Sequence, residues 1–372
     1  MSIKLIDIIA GARPNFMKIA PIITELEKEI NNGVEIRFRL IHTGQHYDKK
    51  MSSDFFSQLG IPTPHFNLNS GSGSQAEQTS KIMIRYEEIL LKEPSCLCIV
   101  VGDVTSTMAC SIVAKKMNIK VAHVEAGLRS YDESMPEEIN RIVTDSISDF
   151  FFTTSKNANK NLIKSGFKKS QIFFVGNTMI DTLNSQMKNS IKPYFWDKEN
   201  LRINNYFVLT LHRPSNVDSE VHLSNILFEI LKNTKDLKVI FPVHPRTLKK
   251  LTNIGLNNKN LILVEPQSYL EFIYLIKNAK AVITDSGGIS EETTILNIPC
   301  LTLRNSTERP ETCEIGTNIL IGNDFNLLAT SILRIFENKW KKGKKPMYWD
   351  GKASKRIVEH LLNDILNLKP TQ

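Results

Sequence analysis

Seven polar clusters stand directly behind short apolar runs, and they carry the side chains that nucleotide binding and proton transfer require. They are Gly11-Ala12-Arg13-Pro14-Asn15-Phe16-Met17-Lys18, Thr43-Gly44-Gln45-His46, Gly102-Asp103, Glu125-Ala126-Gly127-Leu128-Arg129, His212-Arg213, His244-Pro245-Arg246 and Asp285-Ser286-Gly287-Gly288. The last of these leads into the helix-like ISEETTILN. Consecutive small residues at a strand-to-helix turn leave backbone N–H groups open to an anion, and a diphosphate is the natural occupant. Adjacent glycines at such a turn serve close packing equally well. Arg13 in GARP and Arg309 in STERPE add fixed positive charge in loops expected to face the same crevice. A dinucleotide is excluded because no Gly-x-Gly-x-x-Gly follows any of these runs, and no Gly-Lys-Ser/Thr of a P-loop occurs.

Proton chemistry has its own candidates. Asp103, Glu125 and Glu137 follow an apolar run or open a helical stretch in the first half, and Glu292 lies four residues beyond Gly288. Each has a plainer reading: Glu137 and Glu138 after Pro136 favour a helix N-terminus, and Asp103 is placed to cap a helix near Thr105. Three carboxylates converging on one crevice are what removal and return of a proton need. His212 sits just past VLTL, ahead of Arg213, where imidazole can bond or protonate a leaving phosphate. His123 lies inside a run and reads as structural. His42 and His46 straddle a strand end and do not share a helix face, so no metal site is expected, and no cofactor.

The elements that must hold these residues are legible as alternation. IKLIDIIA, IRFRLIHT, CLCIVVGD, KVAHVEAG, DFFFTT and QIFFVGN in the first half, then YFVLTLHR, LKVIFPVH, NLILVEP, KAVITDSGG and IPCLTLR, are short and continuously apolar, and amphipathic stretches separate them. Such runs fit strands buried on both faces, so each half is expected to be a doubly wound parallel sheet, Rossmann-like, in an α/β protein. In such sheets ligands bind beyond the carboxyl ends of the strands, where the seven clusters fall. Domains are expected over 1–185 and 200–352, with a closing helix in 353–372 and a boundary in the polar stretch near Thr182 to Asn205.

Composition narrows the partners. The chain has 372 residues, 41% hydrophobic and 23% charged, which excludes disorder and fits two domains. Its net charge of +8 points first to an anionic partner. Nine Lys or Arg against three Asp or Glu lie between Lys339 and Gln372, a local +6, so only +2 remains for the rest. That distribution argues for a solvated basic segment and against nucleic acid or membrane. Five cysteines, odd in number and without Cys-x-x-Cys spacing, read as reduced thiols. The N-terminus shows no signal-peptide pattern, and no apolar run approaches the roughly 18 residues of a membrane span, so a cytoplasmic location is expected.

In order along the chain, GARPNFMK, TGQH, GD-x-x-ST, HVEAGLRS, MPEEINR, VGNTMID, LTLHRP, VHPR, DSGGISEE and TERPE resemble the non-hydrolysing UDP-N-acetylglucosamine 2-epimerases, relatives of the GT-B glycosyltransferases. The resemblance implies two Rossmann-like domains facing a cleft, a final helix returning toward the first domain, and a homodimer. It also implies inversion at C2 of a UDP-sugar through elimination of UDP to a 2-acetamidoglucal and its re-addition, supplying surface polysaccharide precursors. It places Arg13, His212, Ser286, Gly287, Gly288, Glu292 and Arg309 around UDP, with Glu292 at the ribose; Arg213 and His244 join them as expected substrate-binding residues. Lys18, Asp103, Glu125 and Glu137 fall near the sugar, and Asp103, Glu125, Glu137 and His212 are the catalytic candidates. Some members bind a second substrate molecule as activator, and Gln45 and His46 match that region; the loop Ser70–Ser74 replaces an arginine-bearing segment there. HRPSNVD carries Ser215 where many members have glutamate. Alternatives are a 2-epimerase of another UDP-2-acetamido sugar, a hydrolysing 2-epimerase, a GT-B glycosyltransferase and a non-enzymatic UDP-sugar sensor; the three carboxylates argue against the last.

Overall fold

All eleven apolar runs form strands in the computed structural model, which describes residues 3–44, 56, 58–255 and 258–368, the side chain of Arg246 excepted. The first sheet contains β1 (Lys4–Ala10), β2 (Ile36–His42), β3 (Phe66–Asn67), β4 (Leu97–Val101), β5 (Lys120–Val124), β6 (Phe150–Thr153) and β7 (Ile172–Phe174), in the order β3-β2-β1-β4-β5-β6-β7. The second contains β8 (Tyr206–Thr210), β9 (Lys238–Pro242), β10 (Leu261–Val264), β11 (Ala281–Thr284), β12 (Cys300–Thr302) and β13 (Asn318–Leu320), in the order β10-β9-β8-β11-β12-β13. Every pairing is parallel, from Ile6 beside Leu97 to Thr210 beside Thr284. Strand order reverses between β1 and β4 in one sheet and between β8 and β11 in the other. These are the two switch points where a parallel sheet opens a crevice.

The crossovers are α1 (Arg13–Asn31), α2 (Gln75–Lys92), α3 (Thr105–Lys116), α4 (Pro136–Ile147), α5 (Lys156–Lys164) and α6 (Thr178–Gln186). They continue with α7 (Pro214–Val217), α8 (Glu220–Asn233), α9 (Pro245–Ile254), α10 (Tyr269–Asn278), α11 (Gly287–Leu296), α12 (Pro310–Glu314) and α13 (Phe325–Phe336), and the chain closes with α14 (Ala353–His360). Two compact units result: Met1–Thr182 with Met347–Gln372, and Leu183–Pro346. No helix among the described residues is long and apolar enough to cross a membrane.

Period-two alternation explains the burial on both faces of each sheet. In the first unit, Ile9, Ile41, Cys98, Val100 and Val121 pack with Ile82, Tyr86, Ala109 and Val113 of α2 and α3, while the intervening Ile8, Leu40, Ile99 and Ala122 are buried on the other side. In the second, Phe207, Leu209, Val239, Phe241 and Ile283 meet α8 and α13, and Val208, Ile240 and Val282 meet Leu275 and Ile276 of α10. Phe195, Trp196 and Leu201 join that second cluster, so the polar stretch before β8 contributes aromatic residues to the core of its unit.

Local signals set the helix ends. Ser74 and Glu77 form a reciprocal capping box: the Ser74 hydroxyl accepts from Glu77 N–H at 3.2 Å, and the Glu77 carboxylate accepts from Ser74 N–H at 2.8 Å. Pro21 inside α1 leaves the Met17 carbonyl without its helical donor, and the Thr182 hydroxyl donates to it at 2.5 Å. The lysine-rich stretch is tied to the second unit by Trp340 Nε1 donating to the Thr317 carbonyl at 2.9 Å. Past Pro346 the chain belongs to the first unit, where Trp349 is buried and its Nε1 donates to the Thr154 carbonyl at 3.0 Å. Asp181 caps α14 by accepting from Ala353 N–H, Ser354 N–H and the Ser354 hydroxyl, and α14 packs on α1.

Candidate active site

In the first unit the polar centre gathers at the β1/β4 switch point. Asn15 sits in the first turn of α1, where its Oδ1 accepts from Gly11 N–H at 3.3 Å and Ala12 N–H at 3.0 Å, while its Nδ2 donates to the Val101 carbonyl at 3.0 Å. One side chain therefore closes the N-terminus of the helix and ties it to the end of β4. One turn further on, buried Lys18 reaches across to form an ion pair and hydrogen bond with Glu125, just past β5. Glu125 adopts φ +69°, a left-handed conformation that costs a non-glycine residue about 1–2 kcal/mol. Gly102 explains how the pair fits: a Cβ there would lie 3.1 Å from Lys18 Nζ and 3.2 Å from Glu125 Oε2, and its own φ is +69°.

Asp103 does not cap α3, whose N-cap is Val104 with no side-chain bond. Its carboxylate instead pairs with the buried Arg141 guanidinium, and its carbonyl accepts from Asn140 Nδ2 at 2.9 Å. Arg141 also donates to Glu138 at 2.6 Å. Glu138 is buried and accepts from Ser130 N–H, the Ser130 hydroxyl and Tyr131 N–H, which fastens the loop before α4 to that helix. Glu137 and Glu138 both lie in the first turn of α4, and of the two it is Glu137 that is exposed. Arg13, exposed, opens α1. Gln45 and His46 lie outside the described residues.

The second unit has a matching centre at the β8/β11 switch point. Asp285 is fully buried and accepts from His212 N–H at 3.0 Å, Arg213 N–H at 2.9 Å and Asn216 Nδ2 at 3.1 Å. His212 Nδ1 lies 2.8 Å from Asp285 Oδ1, although 59% of the His212 side chain is exposed. Donation from Nδ1 to that carboxylate leaves Nε2 as the ring's remaining acceptor. Burial opposes ionisation of Asp285, but the bonds from His212, Arg213 and Asn216 outweigh it and hold the carboxyl below its usual range. Arg213 Nε donates to the Asp285 carbonyl at 3.0 Å. His244 is exposed at the start of α9.

Ser286 is the N-cap of α11 but makes no side-chain cap bond, so the first N–H groups of that helix keep no such partner. Behind Gly287 the described side chains form a charged bridge. Glu308 accepts from Arg304 at 2.8 Å and from Arg309 at 2.9 Å, and Arg309 Nε also bonds Glu291. A Cβ on Gly287 would come 2.9 Å from Glu308 Oε1 and 3.4 Å from an Nη of each arginine, whereas one on Gly288 would meet nothing within 4 Å. Glu292, on the same helix, accepts from Tyr269 OH at 3.0 Å, and burial pushes its carboxyl up to about 7 against that bond.

The described candidates from Arg13 to Glu137 thus share the first unit, and those from His212 to Arg309 share the second. Among the described residues no group of three or more His, Cys, Asp or Glu is placed to hold a metal ion. The partners that sequence reasoning did not single out are Asn15, Arg141, Asn216, Glu291, Arg304 and Glu308, and Glu138 was read only as favouring a helix N-terminus. All but Arg304 lie inside motifs quoted above, and Arg304 closes the run IPCLTLR. What marks them is burial of a polar side chain, which a linear pattern of single residues does not display.

Comparison with known proteins places this arrangement. Residues 28–362 match the family model described as UDP-N-acetylglucosamine 2-epimerase. A UDP-N-acetylglucosamine 2-epimerase of Methanocaldococcus jannaschii is 44% identical, over 96% of this chain and 98% of that protein. The crystal structure of the Methanocaldococcus jannaschii UDP-GlcNAc 2-epimerase in complex with UDP-GlcNAc and UDP superposes with a TM-score of 0.85 at 43% identity, covering 96% of this chain and 99% of that one. A UDP-2,3-diacetamido-2,3-dideoxy-D-glucuronate 2-epimerase of Pseudomonas aeruginosa is 37% identical over 96% of this chain and 99% of that protein.

Proposed function

The chain belongs to the UDP-N-acetylglucosamine 2-epimerase family, and from that premise we propose that it interconverts UDP-N-acetylglucosamine and UDP-N-acetylmannosamine without hydrolysis. The observation that carries the reading is the pairing of two centres of different chemistry. At β8/β11 an open helix N-terminus, Arg304, Arg309 and a histidine with a free Nε2 suit a diphosphate; at β1/β4, Glu125 on Lys18 and Asp103 on Arg141 supply carboxylates on fixed cations.

The chemistry follows from acidity. The C2 hydrogen of the sugar has no adjacent carbonyl and is scarcely acidic. As the C1–O bond lengthens, C1 gains oxocarbenium character and the C2 hydrogen becomes labile. A carboxylate of the first unit takes that proton, the C1–O electron pair leaves with UDP, and a C1–C2 double bond forms. Return of a proton to the opposite face of C2 and attack of a UDP oxygen on C1 complete the inversion. Backbone N–H groups of α11 with Arg309 and His212 stabilise the departing diphosphate, and Glu292 holds the ribose hydroxyls. The product would feed surface polysaccharide precursors in the cytoplasm, from a homodimer.

The test is product analysis. UDP-N-acetylmannosamine accumulating to a fixed ratio with substrate supports the reading, whereas free sugar with stoichiometric UDP would replace it with a hydrolysing epimerase. A second substrate is favoured by the 37% identity to the Pseudomonas diacetamido-glucuronate enzyme: turnover of that UDP-sugar with none of UDP-N-acetylglucosamine would select it.

A further inference from the structure

His123 lies in β5 with no solvent exposure, and each of its ring nitrogens faces an acceptor. Nδ1 is 2.7 Å from Asp145 Oδ1 and Nε2 is 2.8 Å from the Gly102 carbonyl. A carbonyl cannot donate. Asp145 cannot readily do so either, since its other oxygen accepts from Gly127 N–H at 3.1 Å and pairs with Arg129 at 2.6 Å. Both ring nitrogens must therefore carry hydrogen, and the ring is an imidazolium. Charge is consistent with this. Among the described residues Asp103, Glu125, Glu138 and Asp145 are buried or half-buried carboxylates of this centre, and Arg141, Lys18, Arg129 and His123 lie against them. A neutral His123 donating to the Gly102 carbonyl would set a bare Nδ1 lone pair against the Asp145 carboxylate.

One bond ends on the Gly102 turn, and the other ends on Asp145, whose second oxygen accepts from Gly127 N–H. Gly102 precedes Asp103 and abuts the Lys18–Glu125 pair, while Gly127 follows Glu125 in the turn where that residue is held at positive φ. We propose that His123 is a positioning residue: a strut donating from both ring nitrogens that, with Asp145, fixes the spacing of the Gly102-Asp103 and Glu125-Ala126-Gly127 turns and so aims both carboxylates. It touches no substrate and acts through those turns.

This rests on the epimerase reading for its kinetic arm only. Ring nitrogen NMR of the full-length protein labelled with 15N-histidine, with His123→Asn identifying the signal, is expected to show both His123 nitrogens protonated near pH 7.5. One unprotonated ring nitrogen on His123 would overturn the proposal, whatever the protein catalyses. In the kinetic arm, His123→Asn retains a donor toward Asp145 but releases the Gly102 carbonyl, and His123→Gln does the reverse. Each is expected to lower kcat about tenfold or more with KM held within about threefold, and to slow exchange at C2 in parallel. Asp145→Asn should behave likewise. If either His123 variant folds, as judged by its melting transition, and keeps kcat within twofold of the parent, the positioning role is refuted. If neither folds, the NMR measurement on the parent decides.

Discussion

Asp285 holds His212 twice, accepting its backbone N–H at 3.0 Å and facing its Nδ1 at 2.8 Å with the other carboxylate oxygen. The turn after β8 and the orientation of its imidazole are thus set by one buried side chain at the end of β11. Asp285→Asn retains the shape but turns an amide donor toward donors. A loss of about 3 kcal/mol in urea unfolding is expected, with a fall in UDP affinity. Because the folded carboxyl lies below its ordinary value of 3.8, its contribution is complete above that value and disappears as pH falls through the lower one. The acid limb of the stability profile should therefore be shallower in Asp285→Asn than in the parent.

Glu292 carries the opposite sign. Burial raises its carboxyl from 4.5 to about 7, so the unfolded chain releases that proton before the folded one does. Stability then declines as pH rises from about 4.5 to about 7. Glu311 is buried and raised to about 7 in the same way. Unfolding free energies of Glu292→Gln and Glu311→Gln measured across that window should each show a flatter slope than the parent. UDP titrations should tighten as pH rises through about 7 if ionised Glu292 holds the ribose, and Tyr269→Phe should move that midpoint upward.

Gly287 and Gly288 separate packing from binding. Gly287→Ala places a methyl group against the Glu308 bridge between Arg304 and Arg309, and is expected to weaken UDP binding about tenfold or more and to lower stability by about 1–3 kcal/mol. Gly288→Ala meets open space and should leave urea unfolding within about 0.5 kcal/mol of the parent. Isothermal titration and unfolding on both variants check this contrast.

Lys18 and Glu125 form a buried pair, so removing one charge strands the other. Lys18→Met or Glu125→Gln alone is expected to cost about 3–5 kcal/mol, and the double variant less than the sum. Activity should not follow stability: turnover is expected to fall at least about 100-fold in Glu125→Gln and in the double variant, with UDP still bound. Paired unfolding and kinetic measurements separate the two effects.

The chemistry-bearing positions were legible because parallel sheets place their loops by rule. Residues behind the runs ending near Ala10, Val101, Val124, Thr210 and Thr284 had to lie at strand ends, and they do. Two strands escaped notice: β3, of two residues, and β13, of three, both at sheet edges. The choice between capping and chemistry for Asp103 was equally invisible. It depends on Arg141, 38 positions along, whose approach is a matter of packing. The same is true of Glu138, which gave no sign of being more buried than its neighbour Glu137. The basic tail resolved differently: Trp340 and Trp349 anchor the stretch that composition marked only as charged.

The most direct test of the elimination chemistry is the fate of the C2 hydrogen. The protein is incubated with UDP-N-acetylglucosamine in deuterated water and both UDP-sugars are followed by proton NMR. Epimerisation through the glucal predicts that UDP-N-acetylmannosamine forms with deuterium at C2 and that residual substrate gains it too, with exchange lost in Glu125→Gln. UDP-N-acetylmannosamine that retains the original C2 hydrogen would contradict proton abstraction by the first-unit carboxylates.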